Sequence, residues 1–215
     1  MKYLFPAYII NDMELKHLVK LFGIINKENG IFLEAGANDG IFDSYTYYLE
    51  KDKHWKGVLV EPSINAFHAC VKNRPHSYCI NAALTNDEQA DSLSGDFDGH
   101  PMSSIEGKRL NRMSNVSVKA LTLNKVFANH LKDIPVDLMS IDVENYELPV
   151  LMGLDYSQYR PRFILVEIYT PTFLDTVNFL LRNDYALITN ITGFNPIDNP
   201  AWDGTHNDYL FGSLR

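Results

Sequence analysis

Three short stretches of this chain combine residue types that can do chemistry, and each one closes an apolar run. The first is Glu34-Ala-Gly-Ala-Asn-Asp-Gly40. Gly36 and Gly40 allow a tight turn and let the backbone approach a ligand, while a following helix would offer unpaired N–H donors. Glu34 and Asn38 interrupt the GxGxxG dinucleotide spacing. Glu34 and Asp39 add negative charge there, which suits a cationic ligand better than a pyrophosphate. The second stretch is Glu61-Pro62, whose carboxylate can accept both hydroxyls of a ribose. Asn81-Ala82-Ala83 closes the next apolar run and is small and polar enough for the flat edge of a base. The third stretch, Asp142-Val-Glu-Asn-Tyr-Glu147, crowds three acids at one strand end, and Glu167 ends the run after it. Four carboxylates on one rim repel one another and raise a pKa unless a cation is near. Glu144 and Glu147 can equally serve the start of the next helix.

Elements at regular spacing must position these groups. Apolar runs at 31–35, 57–60, 77–84, 136–141 and 162–168 read as strands. Helical periodicity fills 11–22, 44–51, 64–72, 123–132, the stretch after Glu147, and 172–182. Nearly continuous apolar strands alternating with helices indicate a parallel sheet covered on both faces. Two closing strands, 185–192 and 209–214, have no helix between them and are expected to be antiparallel neighbours. Residues 1–28 are expected to form an N-terminal helical segment and 29–215 the main domain. The polar stretch 89–116, with His100 beside Pro101, is expected to be a loop or lid inserted into it.

Composition narrows the function classes. The chain has 215 residues, 19 Lys+Arg against 27 Asp+Glu and a formal charge of −8, which argues against nucleic acid or an anionic membrane as partner. No apolar run reaches the ~18 residues that span a bilayer. The opening MKYLFPAYII holds Pro6 and no small-residue cleavage site, so no leader is expected. Cys70 and Cys79 are expected to be buried free thiols, which fits a cytoplasmic protein.

FLEAGANDG, WKGVLVEP, VDLMSIDVENYELPVL and PRFILVEI, in that order and spacing, resemble the FkbM family of S-adenosylmethionine-dependent methyltransferases. The likeness spans roughly residues 29–170. It implies an α/β, Rossmann-like class I methyltransferase with a seven-stranded, mainly parallel sheet, an antiparallel last strand, and helices on both faces. It also implies S-adenosyl-L-methionine as donor and S-adenosylhomocysteine as product. Gly36 and Ala37 would line the donor's amino-acid portion, Glu61 would bind its ribose, Asn81 and Ala82 would border adenine, and Asp142 would lie beside the sulfonium. Glu34, Asn38, Gly40, Ser44 and Pro62 complete the expected donor site. Where the family carries Gly after DVE, this chain has Asn145, a residue that also tolerates a left-handed backbone.

In methyl transfer the acceptor oxygen must lose a proton, and Asp142 and Glu167 are the expected bases, with His100 third if its loop folds over the site. Asp142 and Glu167, with Glu144, can also hold a divalent metal such as Mg²⁺ against a vicinal diol. The resemblance implies O-methylation of a small-molecule or glycan acceptor, most often a sugar hydroxyl. The aromatic helix Tyr45–Tyr48, Tyr169, Trp202 and the polar tail 198–208 can stack on and hydrogen-bond such an acceptor. Two other readings compete. A nicotinamide-dependent reductase is disfavoured by the interrupted glycine spacing and the lack of a Tyr-x-x-x-Lys pair in the later half. A non-catalytic nucleotide-binding module leaves the acidic rim without a purpose.

Overall fold

The computed structural model describes residues 12–98, 100, 102–105, 111, 116–198 and 204–215. Helix α1 (Asp12–Ile25) precedes an alternating series. It runs β1 (Ile31–Ala35), α2 (Tyr45–Lys53), β2 (Lys56–Glu61), α3 (Ile64–Asn73) and β3 (Tyr78–Asn81). A smaller unit follows, of β4 (Ala83–Leu84), β5 (Ser92–Gly95) and β6 (Val116–Leu121). The series then resumes with α4 (Leu123–His130), β7 (Leu138–Ile141), α5 (Glu147–Met152), β8 (Phe163–Tyr169), α6 (Phe173–Arg182), β9 (Tyr185–Asn190) and β10 (His206–Ser213).

The main sheet has seven strands in the order β3-β2-β1-β7-β8-β10-β9. β10 runs antiparallel between β8 and β9, and the other pairs are parallel. Every side chain of β7 and β8 is buried, as strands covered on both faces require. On one face Phe127 of α4, Val150 of α5 and Leu180 of α6 pack against Leu33, Val60 and Ile164. On the other, Leu21 of α1, Leu49 of α2 and Cys70 of α3 pack against Phe32, Leu59 and Leu138. Burying each such side chain contributes about 1.5–3 kcal/mol.

Local chemistry sets the helix starts. Ser44 caps α2 by accepting the Tyr47 N–H at 3.1 Å, and Thr122 caps α4 by accepting that of Lys125 at 3.2 Å. His54 ends α2 in the left-handed region, at φ 57°.

Three expectations need correction. The third run is not one strand: it leaves the main sheet after Asn81, and Ala83–Leu84 pairs instead with β6. The stretch 89–116 is not wholly a loop. β5 lies antiparallel to β6, and Gly95 bridges Ile105, so a three-stranded sheet supports the insertion. Its β-forming residues Val116 and Val118 alternate with Ser117 and Lys119, a short half-exposed pattern easily read as loop. Pro101 and Trp202 lie outside the described residues, as does most of the apolar N-terminus. Cys79 is half-buried rather than buried, and its Sγ lies 3.5 Å from that of Cys70, both thiols being free.

Candidate active site

Strand register assembles the site. Ala35 pairs with Val60 and with Ile141, Ile141 pairs with Val166, Glu61 with Asn81, and Glu167 with Asp208. The next positions along form one row across the sheet: Asn81, Glu61, Gly36, Asp142, Glu167 and Asp208. Four of these six are acids, and the row stands at the carboxyl edge of the parallel strands, where open α/β sheets bind ligands.

Gly36 is the pivot of the row. Its φ is +81°, and a Cβ there would stand 1.6 Å from the Asp142 carbonyl oxygen, so no other residue fits. The Gly36 and Ala37 amides donate to the Val60 carbonyl at 3.0 and 3.2 Å, which turns the chain back over β2. Asn38, also left-handed at φ 46°, donates its N–H to Glu61 Oε2 at 2.8 Å. Ser63 donates its own to Oε1 at the same distance. Glu61 is thus fixed in place by two amides, and burial pushes its carboxyl up to about 7.

Two cavities meet at this pivot, since Ala35 and Gly36 line both. The smaller, about 60 Å³, is bounded by Asn38, Glu61, Pro62, Ala82, Phe97 and His100. The larger, about 500 Å³, holds Asp142, Glu167, Asp208, Tyr45, Tyr48 and His206. His100 therefore lies over the end of the site that contains Glu61, away from Asp142 and Glu167. The insertion does fold over the sheet edge, but over the other cavity.

Of the expected donor residues, Glu34 and Ser44 line the larger cavity, while Ala37, Gly40 and Asn81 line neither. Asn81 lines neither cavity; its Nδ2 donates to the Glu61 and Pro62 carbonyls at 2.9 Å and braces the end of β2. Ala37 is buried in the core. Glu34 accepts the hydroxyls of Ser44 and Thr46, and burial raises its pKa despite the Arg74 guanidinium 3.5 Å away. Gly40 packs on Arg74, which donates to its carbonyl at 3.0 Å. Arg74 is 1% exposed and also pairs with Glu50 at 2.8 Å. Sequence reasoning missed it because an Arg at a helix end looks like an ordinary basic terminus.

The acid-rich cavity is electrostatically frustrated. Burial, then Glu144 and Asp208, raises Asp142 well above the carboxylate range. Burial, then Asp142, raises Glu167 to about 12. Burial lifts Glu147 to about 7 and Asp208 to about 6, the latter against a hydrogen bond from the Tyr45 hydroxyl at 2.9 Å. Glu144, expected among the metal ligands, instead accepts the Tyr169 hydroxyl at 2.8 Å. Glu147 stands with Asp142 and Glu167, one oxygen of each within 4.8 Å of the others, and its Oε1 accepts the Val143 and Asn145 amides at 3.1 and 2.9 Å. Glu144 and Asn145 are both left-handed, at φ 57° and 72°, so the turn survives Asn where the family carries Gly. His206, unmarked in the sequence, places Nε2 3.3 Å from Glu167 Oε1 because β10 runs back beside β8.

The fold is that of class I methyltransferases. Precorrin-6y C5,15-methyltransferase from Geobacter metallireducens superposes with a TM-score of 0.51 at 10% identity, over 96% of this chain and 92% of that one. The plantazolicin methyltransferase BpumL, solved with S-adenosylhomocysteine, gives 0.51 at 14% identity, over 94% and 83%. Fibrillarin from Aeropyrum pernix, with natively bound S-adenosyl-L-methionine, gives 0.50 at 12% identity, over 90% and 72%. No curated protein sequence matches the chain. The methyltransferase FkbM domain model matches residues 34–187. The chain belongs to the FkbM methyltransferase family, on the fold of S-adenosylmethionine-dependent enzymes. No helix among the described residues is long and apolar enough to cross a membrane.

Proposed function

We propose that this chain transfers a methyl group from S-adenosyl-L-methionine to a hydroxyl, in the first instance of a sugar in a glycan or glycosylated small molecule. The observation that carries the reading is the meeting of the two cavities at Gly36, with Glu61 on one side and Asp142 and Glu167 on the other. A nucleoside held through its ribose diol by Glu61 would place that ribose in the smaller cavity. Its sulfonium would pass the glycine into the acid-rich one, where negative charge favours the cationic donor over its neutral product. Such alignment of oxygen, methyl carbon and sulfur can supply ~7–11 kcal/mol of the barrier.

The acceptor oxygen forms its bond to the methyl carbon as the carbon–sulfur bond breaks, and that electron pair stays on sulfur as S-adenosylhomocysteine. Asp142 and Glu167 are held protonated by burial and mutual repulsion; the sulfonium cation beside them favours the ionised form, and that carboxylate takes the hydroxyl proton. Tyr45 and Tyr48 offer faces on which a sugar can stack in the larger cavity. The free thiols fit work in a reducing cytoplasm.

Thermal unfolding tests the donor: S-adenosylhomocysteine at ~100 times its Kd should add about 2.7 kcal/mol, and NADH or NADPH nothing. Incubation with the donor and a glycan panel, read by intact mass, should show a gain of CH₂. The absence of any shift at millimolar S-adenosylhomocysteine would reject the donor assignment.

A further inference from the structure

Asp142, Glu147 and Glu167 each offer a carboxylate oxygen, and the three atoms lie within 4.8 Å of one another. They come from the ends of two adjacent strands and the first residue of α5, elements fixed by the sheet register. Three carboxylates converging without a cation is costly, because each opposes the ionisation of the others. A second observation points to what the cluster is for. Glu167 is 8% exposed, and its Oε2 is buried with no hydrogen-bond partner, although its Oε1 has His206 Nε2 at 3.3 Å. A buried carboxylate oxygen left unpaired is rare in a folded protein and calls for a partner, a bound ion among them.

We infer that Asp142, Glu147 and Glu167 bind one hard divalent cation of the Mg²⁺, Mn²⁺ or Ca²⁺ class, with positions left open for two oxygens of the acceptor. The ligand set is all oxygen, which selects against soft metals. Two oxygens on one ion stand at most twice the metal–oxygen distance apart, roughly 4.2 Å for Mg²⁺ and about 5 Å for Ca²⁺. The three oxygens, all within 4.8 Å of one another, need to draw together to become neighbouring ligands of one ion. Glu147 Oε1 is held by two amides, and Glu167 Oε1 has His206 beside it. Such support fixes ligand orientation in metal sites.

The role of the cation rests on the proposed O-methylation; its binding does not. A cation here would coordinate a vicinal diol, lower the pKa of the attacking hydroxyl and stabilise the resulting alkoxide. Asp142 and Glu167 would then assist through the metal, and Asp208, facing the same cavity, is the carboxylate that takes the proton. The alkoxide forms the new bond to the methyl carbon and the carbon–sulfur pair stays on sulfur, so no further reactant is needed.

The test is a titration of the full chain, free of donor, with Mn²⁺ alone, following free Mn²⁺ by electron paramagnetic resonance. One saturable site per chain is expected, emptied by Mg²⁺ or Ca²⁺. Glu147→Gln and Asp142→Asn should each weaken it about tenfold or more, while Glu61→Gln should not. No saturable binding by the wild-type protein at millimolar Mn²⁺, or binding that survives both substitutions, would overturn the inference. S-adenosylhomocysteine binding is measured on the same samples. Its presence without Mn²⁺ binding removes the cation site and keeps the donor reading; Mn²⁺ binding without it does the reverse.

Discussion

Replacing Glu61 by Gln is the sharpest probe of the donor site, because the structure says what the carboxylate does before any ligand arrives. One oxygen receives the Asn38 amide and the other that of Ser63, each at 2.8 Å, and Glu61 lines the smaller cavity. Gln keeps the volume but has a single acceptor oxygen, so one of the two amides meets an NH₂ group. The ionised acceptor for the ribose diol is lost as well. A hydrogen bond to a charged group is worth about 1.5–3 kcal/mol, and an orphaned buried donor costs about 1–3 kcal/mol. Part of the second cost falls on the free protein, so about 2–3 kcal/mol should appear in binding, a loss of about 30- to 150-fold in affinity. The assay is calorimetric titration with S-adenosylhomocysteine, with circular dichroism to show that the variant is folded. Wild-type affinity should also fall as pH drops below about 7, because the ligand-free carboxyl titrates there and only the ionised form accepts both hydroxyls. The variant should lack that dependence. A folded Glu61→Gln protein with affinity within about threefold of wild type would refute the reasoning.

Two further outcomes follow from the same geometry. Glu61 and Glu147 are raised to about 7 and Asp208 to about 6, so the fold favours their protonated forms. That stabilisation is complete below the unfolded carboxylate range and is lost as pH rises through 6–7. Each Glu accounts for up to about 3 kcal/mol. The melting temperature of the ligand-free protein should therefore fall between about pH 5 and pH 8, and less so in Glu147→Gln; a rise over that range would reject the burial argument. Gly36→Ala forces a Cβ into the Asp142 carbonyl at a φ of +81°. It should cost about 3 kcal/mol or more in chemical denaturation, and a variant as stable as wild type would show that the β1 and β7 ends are not packed as described.

What the sequence disclosed divides along a physical line. Strands 31–35 and 136–141 were legible because a strand buried on both faces must be continuously apolar, and Gly36, Glu61, Asp142 and Glu167 because each interrupts such a run at its end. The order of these strands was not legible, since periodicity says nothing of neighbours; only the folded sheet shows it. The sequence hid whatever depends on return of the chain. Arg74 becomes the buried partner of Glu34 and Glu50 only when α3 packs beside α2. His206 and Asp208 stand in a polar tail until β10 pairs with β8, which sets Asp208 opposite Glu167. Glu144 and Glu147 looked interchangeable, and left-handed backbone at 144 and 145 decided between them, sending one toward Tyr169 and the other back to the cluster. Breaks in apolar runs thus locate a ligand edge, but which acids converge there is settled by turns and antiparallel returns. For this reason one strand-end carboxylate, Glu61, is bound by amides while its counterpart, Glu167, keeps a buried oxygen unpaired.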